Sequence, residues 1–203
     1  QWISENPGYD VYLINGMPYI PYASYNLIER STNIHNPRFE KWARFVSSVI
    51  GLELPEPLPR QTNANLCACN YWVGSARFWE SLSRDVLTPL FHLVDNRKQA
   101  DEIFGYHRYS APTPVYNLTI VYERLMDHYV AQSQLKALYF PWSGARALGL
   151  DCYLPSIKTY LETMIPLVDR IDEKGVWSKR DRDFLRAVSH VHGGILPLQP
   201  VPV

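Results

Sequence analysis

The sequence predicts an α/β domain that is rich in helix and contains a small mixed sheet. Short apolar runs that end at asparagine, glycine or proline alternate with longer stretches whose apolar residues recur at helical spacing. The order helix, turn, strand near the start of the chain is typical of α/β proteins. With 203 residues, 46% of them apolar, the chain can form one domain, residues 1–203, around a real core.

Charge and composition narrow the classes of partner. Acidic and basic side chains balance to a formal net charge of zero. Because phosphate binding needs concentrated Lys and Arg, we expect no nucleic-acid partner. No apolar run approaches the roughly 20 residues of a membrane span, so no transmembrane segment is expected. The three cysteines show no framework spacing, which leads us to expect a reducing, cytoplasmic location.

The first elements are a helical fragment and a strand. Residues 1–5 are typical of the last turn of a helix, so we expect this chain to be part of a longer protein, with a processed start as the alternative. Asn6-Pro7-Gly8 ends that turn, and residues 9–14 read as a strand. Asn15 follows the strand at its carboxyl end, where α/β proteins bind their ligands, and is a candidate for substrate binding.

Residues 18–37 read as a long aromatic and polar loop. A connection of this length is often functional. Asn26, Glu29 and His35 lie within it, and side chains of this kind either bind ligand hydroxyls or form Asx turns and caps. The sequence leaves both roles open.

The next stretch predicts a helix and an extended spacer. Asn36 and Pro37 favour a helix N-terminus, and Gly51 favours its end. The apolar positions between them recur at helical spacing. Residues 54–61 contain three prolines and are therefore predicted to be extended.

The stretch 65–79 is the least generic part of the chain. Residues 66–73 read as a strand rich in cysteine and aromatic side chains, and Ser75 is a good N-cap for the helix that follows. That helix is expected to reach about Asp95, with a kink near Pro89. Asn70 and Tyr71 lie near the end of the predicted strand; the Asn70 amide either satisfies a buried backbone group or binds a sugar hydroxyl.

Two sets of residues suggest metal binding, and in both a structural role is favoured. Cys67 and Cys69 share a face of the predicted strand, but a structural zinc site needs four ligands and Cys152 stands alone. We therefore expect buried cysteines. Asp181 and Asp183 fall in the first turn of a predicted helix, where acidic residues favour the helix dipole. No metal site is predicted within this chain.

The second half of the chain is predicted to be mostly helical. A helix over 115–132 is followed by a short strand at 135–140. An amphipathic helix over 156–171 is expected to kink at Pro166, and a last helix begins at Ser178 with a capping box.

Glu123 and Arg124 are the sharpest candidates in this half. On the apolar stripe of the helix over 115–132, Glu123 falls just off the buried edge and Asp127 points to the opposite face. A carboxylate at the rim of an apolar face can point into a cleft, or it can pair with a surface arginine. The sequence leaves both open.

Five short motifs follow one another along the first two thirds of the chain. They are Tyr9-Asp10-Val11-Tyr12-Leu13-Ile14-Asn15, Tyr25-Asn26-Leu27-Ile28-Glu29, His35-Asn36-Pro37, Cys69-Asn70-Tyr71-Trp72-Val73-Gly74 with Phe78-Trp79, and Tyr122-Glu123-Arg124-Leu125 before a short strand. In order and rough spacing, over about residues 9–141, they resemble bacterial glycosyltransferase-like proteins of surface-polysaccharide gene clusters.

The resemblance implies a GT-A-like partial domain. Residues 1–150 would be the glycosyltransferase-like region, on the acceptor side, and residues 151–203 a C-terminal helical extension. The nucleotide-sugar half, with an acidic motif for Mn²⁺ or Mg²⁺, would lie upstream, so no cofactor is expected within this chain. The partners implied are a nucleotide-sugar and a glycan acceptor.

The resemblance also implies roles for single residues. Glu123 would be the catalytic acid/base or would orient a hydroxyl, and Arg124 would neutralise diphosphate charge. The remaining residues expected to contact substrate are Asn15, Asn26, Glu29, His35, Asn70 and Tyr71. From another class, the alternative is a non-catalytic carbohydrate-binding or protein-interaction module, favoured by the 14 tyrosines and six tryptophans.

Overall fold

The fold is that of a helix-rich α/β protein with a small mixed sheet, as predicted. A computed structural model describes residues 1–96, 103–107, 115–149 and 155–193. The helices are α1 Trp2–Glu5, α2 Leu27–Ile34, α3 Phe39–Val49, α4 Ala76–Leu82, α5 Thr88–Asp95, α6 Asn117–Gln132, α7 Gly144–Leu148, α8 Pro155–Lys174 and α9 Lys179–Gly193. The strands are β1 Val11–Leu13, β2 Trp72–Gly74, β3 Tyr106–His107, β4 Val115–Tyr116 and β5 Ala137–Tyr139. The expectation for Cys152 lies outside the described residues.

The main sheet has the strand order β2-β1-β5. The central strand β1 pairs antiparallel with β2, where Leu13 lies opposite Trp72, and parallel with β5, where Leu13 lies opposite Tyr139. The ends of β1 and β5 and the start of β2 therefore meet at one edge of the sheet, which we call the carboxyl edge. Strands β3 and β4 form a separate pair, and the helix predicted over 115–132 begins only after β4, at Asn117.

Two apolar clusters hold the described elements together. The first joins β1 to α3, α4, α5 and α6 and includes Leu13, Val46 and Leu125. The second joins the 3₁₀ turn Ile20–Tyr22 to α8 and α9. Helix α2 contributes to both clusters, because Ile28 lies in the first and Leu27 in the second. Among the described residues, no helix is both long and apolar enough to cross a membrane.

Several local signals from the sequence are confirmed. The Ser75 hydroxyl accepts the Phe78 N–H at the start of α4, and Ser178 and Asp181 form the expected capping box at the start of α9. Gly51 follows α3 with a φ of +67°, a left-handed value that glycine adopts readily. The irregularity expected near Pro89 is a π-helical turn, Ser83–Leu87, directly before α5.

Three predictions of secondary structure were wrong. The supposed loop 18–37 contains the 3₁₀ turn and helix α2. Helix α3 begins at Phe39, because Asn36 forms an Asx turn to the Arg38 N–H instead of capping the helix. The predicted strand 66–73 is half wrong, since Ala68–Asn70 forms a 3₁₀ turn and the strand begins only at Trp72.

Candidate functional site

The carboxyl edge gathers five of the sequence-predicted site residues. Asn15 follows β1 there, and the Ile14 N–H donates to the Tyr71 carbonyl at 2.8 Å, which brings the start of β2 alongside. The 3₁₀ turn Ala68–Asn70 contacts helix α6, which carries Glu123 and Arg124. Asn70 and Tyr71 were predicted near the end of a strand, but they precede β2, and they reach this edge because β2 runs antiparallel to β1.

Glu123 fixes the backbone of the turn that precedes β2. Cys69 and Asn70 adopt left-handed φ values of 69° and 53°. This region costs a residue such as cysteine about 1 kcal/mol or more, and asparagine tolerates it better. The Cys69 N–H donates to Glu123 Oε1 at 2.6 Å, a short charge-assisted hydrogen bond. The carboxylate thus stabilises an otherwise strained turn, and this role was not foreseen from the sequence.

Glu123 also pairs with its neighbour Arg124. Arg124 Nη1 lies 2.5 Å from Glu123 Oε1, and Arg124 Nε donates to the Ser31 hydroxyl at 3.2 Å. The geometry at Nη1 is that of an ion pair without an aligned hydrogen bond. Both of these contacts of Glu123 use Oε1, and the Cys69 thiol also interacts with the carboxylate.

Asp127 lies in the interior, contrary to the prediction that it points to the opposite face. Only 3% of its surface is exposed, because α6 is buried on more than one side. Its carboxylate accepts the Cys67 N–H at 2.9 and 3.1 Å and Gln61 Nε2 at 3.1 Å. Burial raises the pKa of Asp127 to about 7, although the Cys67 N–H and the Arg124 charge oppose this. Gln61 Oε1 in turn accepts the Leu27 N–H, so Asp127 ties α6 to α2.

Cys67 is buried, as expected, whereas Cys69 is half-buried at the rim of the second apolar cluster. Burial raises the pKa of Cys67 to about 12 and that of Cys69 to about 11. Both thiols are therefore protonated at neutral pH and are poor nucleophiles and metal ligands. Among the described residues, no three His, Cys, Asp or Glu side chains are grouped so that they could hold a metal ion. We assign no metal ligand to this part of the chain.

Asn70 and Tyr71 present unused contacts at the carboxyl edge. Asn70 Oδ1 is buried and has no hydrogen-bond partner within the described part of the chain. The Tyr71 side chain is 58% exposed. Its ring lies flat against Gly16, where a Cβ would approach Tyr71 Cε2 to 2.5 Å. An unsatisfied amide oxygen beside an exposed aromatic ring is a suitable pair of contacts for a sugar.

Asn15 serves the fold of the same edge. Its amide donates to Asn63 Oδ1 at 3.0 Å, and its oxygen accepts the Met17 N–H at 3.0 Å. Asn63 continues the network by donating to the Pro18 carbonyl. The side chain of Asn15 is almost completely buried, so its hydrogen bonds stabilise the loop after β1 from the interior of the protein.

Asn26, Glu29 and His35 lie apart from the other candidates, on helix α2. Asn26 caps the helix by accepting the Glu29 N–H at 2.8 Å. Glu29 pairs with Arg186 of α9 at 3.1 Å, and His35 is the C-cap residue. The local roles that the sequence left open are thus occupied for Asn26 and His35. Asn26, Glu29 and Arg182 border a small cavity of about 160 Å³.

Sequence reasoning missed two charged residues at this site, Asp127 and Arg30. Arg30 lies on α2 next to Ser31 and is 9% exposed. A signal for α2 was present, because Asn26 followed three residues later by Glu29 is a helix N-terminus pattern. Once α2 is recognised, its buried face includes Leu27, Arg30 and Ser31.

No protein-family model matches this sequence, and neither a curated protein nor a solved structure matches it. The functional conclusion therefore depends on the geometry of the carboxyl edge.

Proposed function

We propose that this chain is the acceptor-side part of a GT-A-like glycosyltransferase and that its sugar site is the carboxyl edge. Together with an upstream nucleotide-sugar half, it would transfer a sugar from a nucleotide-sugar donor to a glycan acceptor. The observation that carries the proposal is the exposed Tyr71 ring beside the unpartnered Asn70 Oδ1. Ligands of α/β proteins bind beyond the carboxyl ends of strands, and these two residues precede β2 at the edge where β1 and β5 end.

The roles of the site residues follow from which atoms remain available. Tyr71 stacks on a sugar ring, and Asn70 Oδ1 accepts from a sugar hydroxyl. Glu123 Oε2 receives a proton from, or orients, the acceptor hydroxyl, while Oε1 keeps the Cys69 N–H. Because the Cys69 N–H holds Oε1, the carboxylate keeps one orientation, which general-base catalysis requires.

Arg124 and a divalent metal would interact with the nucleotide-sugar donor. Arg124 would neutralise part of the diphosphate charge, since its guanidinium is held by Ser31 and Glu123 near the same edge. Mn²⁺ or Mg²⁺ would be held by an acidic motif upstream of this chain. Asn26, Glu29 and His35 remain proposed contacts only for a substrate long enough to reach α2.

A non-catalytic carbohydrate-binding module is the second candidate, and the exposed Tyr71 ring favours it equally. Both functions require sugar binding at the carboxyl edge, but only the transferase requires Glu123 as an acid/base. The Glu123→Gln substitution in the intact protein separates them, because it should abolish transfer while sugar binding persists. A variant that transfers sugar at the wild-type rate would exclude the catalytic role of Glu123.

Thermal-shift measurements on this chain test the site directly. We expect a panel of nucleotide diphosphates and nucleotide-sugars, with and without Mn²⁺, to raise the Tm of the wild type. Tyr71→Ala should reduce the shift given by a nucleotide-sugar to the shift given by the matching nucleotide diphosphate. Trp79→Ala is the matched control, because Trp79 is also an exposed aromatic, at 47%, but follows β2 at the opposite edge of the sheet. Equal shifts in both variants, or none in the wild type, would contradict a sugar site at the carboxyl edge.

A further inference from the structure

Arg30 is a buried arginine without the partners that burial requires. Helix α2 carries it into the interior, where 9% of its surface remains exposed. Its Nη1 atom is buried and has no hydrogen-bond partner within the described part of the chain. A guanidinium group stays charged in proteins, so Arg30 cannot relieve its burial by losing a proton. Burial nevertheless lowers the pKa of Arg30, which reflects the penalty on the charged form.

The groups that face Arg30 bring little negative charge. Tyr19 from the loop after β1, Tyr160 from α8 and Arg124 from α6 all interact with it. The Tyr160 hydroxyl donates to the Tyr22 carbonyl at 2.9 Å, and burial raises the pKa of Tyr160 to about 12, so it is neutral at physiological pH. Arg124 adds a second positive charge. No described carboxylate forms an ion pair with Arg30.

Arg124 is only partly compensated. Glu123 lies 2.5 Å from its Nη1, but the same carboxylate oxygen also accepts the Cys69 N–H. The next carboxylate, Asp127, has a pKa of about 7 and is therefore only partly ionised at neutral pH. Two guanidinium groups thus have one paired carboxylate nearby among the described residues, that of Glu123, which other contacts already occupy. A buried charge without a partner is strongly unfavourable, so the cluster is incomplete as it stands.

We propose that Arg30 and Arg124 form a binding site for a phosphate-type oxyanion between α2, α6 and α8. The planar fork of arginine matches the oxygen spacing of a phosphate group, and two such forks offset a dianion. Tyr19 and, from α8, Tyr160 are the other groups that interact with Arg30. Arg30 and Arg124 are 9% and 8% exposed, and the Nη1 atom of each is buried.

The position of the pair gives the bound anion a structural consequence. Arg124 extends from α6 in the first apolar cluster, whereas Tyr160 lies in the second, and α2 contributes to both. An anion held by both arginines would therefore link the two clusters and stabilise the docking of α8. Only the identity of the natural anion, the diphosphate of a nucleotide-sugar, rests on the proposed function.

The test uses inorganic phosphate and pyrophosphate as probes, at constant ionic strength set with chloride. We expect a wild-type Tm increase of about 5–10 °C at a hundredfold excess over Kd. Arg30→Met should abolish this increase. Arg84→Met is the matched control, because Arg84 is an exposed arginine whose loss lowers the net charge equally. The increase should persist in Arg84→Met.

Two results would overturn the anion site: no phosphate or pyrophosphate effect on the wild type, or an equal effect on Arg30→Met. If Arg30→Met does not fold, Arg30→Lys keeps the charge but not the fork, and we expect its pyrophosphate affinity to fall about tenfold or more. Unchanged affinity in Arg30→Lys would contradict recognition by the fork. Tyr71→Ala should bind pyrophosphate normally, so failure of the sugar site and failure of the anion site are distinguishable.

Discussion

Two buried arginines of this chain, Arg60 and Arg30, differ completely in their partners. The Arg60 side chain is 11% exposed and forms a bidentate pair with Asp172, at 3.0 and 2.9 Å. Its remaining N–H groups donate to the backbone carbonyls of Ser24, Tyr25 and Pro21 at 2.8, 3.1 and 2.7 Å. Its guanidinium carbon lies 4.8 Å from the Trp177 ring centroid. Arg30 Nη1, by contrast, is buried without any described partner.

The difference shows what a structural arginine looks like in this fold. Arg60 joins α8 to the loop before α2, and each of its nitrogens has an acceptor that the fold supplies. Buried polar groups are almost always satisfied in this way. The fold therefore explains Arg60 but not Arg30, and an external anion is the partner that would make the two sites equivalent.

The largest effect is expected from Arg60→Met. Removing the guanidinium takes both Arg60 hydrogen bonds from Asp172, which keeps the Trp177 Nε1–H donor, and takes the Arg60 donors from the Ser24 and Pro21 carbonyls. Loss of one partner of a buried pair costs about 3–5 kcal/mol. Arg30→Met removes an uncompensated charge, so in phosphate-free buffer it should be as stable as the wild type or more stable. Urea unfolding followed by circular dichroism measures both. Equal destabilisation by the two substitutions would show that Arg30 is a structural arginine like Arg60.

Asp127 gives the next largest effect, through pH. Its folded pKa of about 7 exceeds the unfolded value of about 3.9, so the folded protein binds the proton more tightly. The stability from Asp127 is fully present below about pH 4 and is lost as pH rises through 7, by up to about 1.4 kcal/mol per pH unit. The ionisation that causes this loss also places a negative charge near Arg124, because Asp127 is the nearby carboxylate that forms no ion pair with a described residue.

Urea unfolding of the wild type and Asp127→Asn at pH 5, 6, 7 and 8 measures this contribution. The difference between the two curves isolates Asp127, because His128 is common to both. We expect the wild type to lose stability relative to Asp127→Asn as pH rises. Parallel curves across this range would mean that Asp127 is ionised throughout and that the arginine pair is already compensated.

Glu123→Gln should destabilise the protein by a smaller amount, about 1–3 kcal/mol. The glutamine oxygen can still accept the Cys69 N–H, so the loss comes from the charge that faces Arg124. Because Glu123→Gln removes the charge of the one carboxylate that pairs with Arg124, pyrophosphate should stabilise this variant more than the wild type. Weaker stabilisation by pyrophosphate in Glu123→Gln would contradict a shared electrostatic site.

The smallest effect is expected from Asn70→Gly. Asn70 has a φ of 53° and a buried, unpartnered Oδ1, so glycine relieves backbone strain and removes an unsatisfied atom. We expect a gain of about 0.5–1 kcal/mol in the free energy of unfolding, together with weaker sugar binding. Like Arg30, Asn70 would then be a residue that the fold alone does not favour. A loss of stability would instead indicate a structural role for the amide.

Local signals in the sequence predicted much of the fold. Apolar periodicity identified α6 and α8, and the hydroxyl caps Ser75 and Ser178 marked two helix starts. Strands β1 and β5 were predicted because both are short apolar runs between turn residues. These elements are determined by residues within a few positions of one another, which a single sequence displays directly.

The features of the fold that the sequence did not predict depend on contacts between residues that are distant along the chain. Residues 68–70 form a left-handed turn because Glu123, 54 positions after Cys69, holds that residue's N–H. Asp127 was expected on the opposite face, but α6 is packed on more than one side, and Gln61 and Cys67 supply partners for a buried carboxylate. Arg30 gave no signal, since charged side chains on helices are usually exposed.

The most direct test of the difference between Arg60 and Arg30 is an isothermal titration of pyrophosphate into the wild type and Arg30→Met at constant ionic strength. We predict one binding site in the wild type and an affinity at least about tenfold weaker in the variant, because the paired forks of Arg30 and Arg124 hold the anion together. The same affinity in both proteins would contradict the conclusion that Arg30 is kept for an external anion.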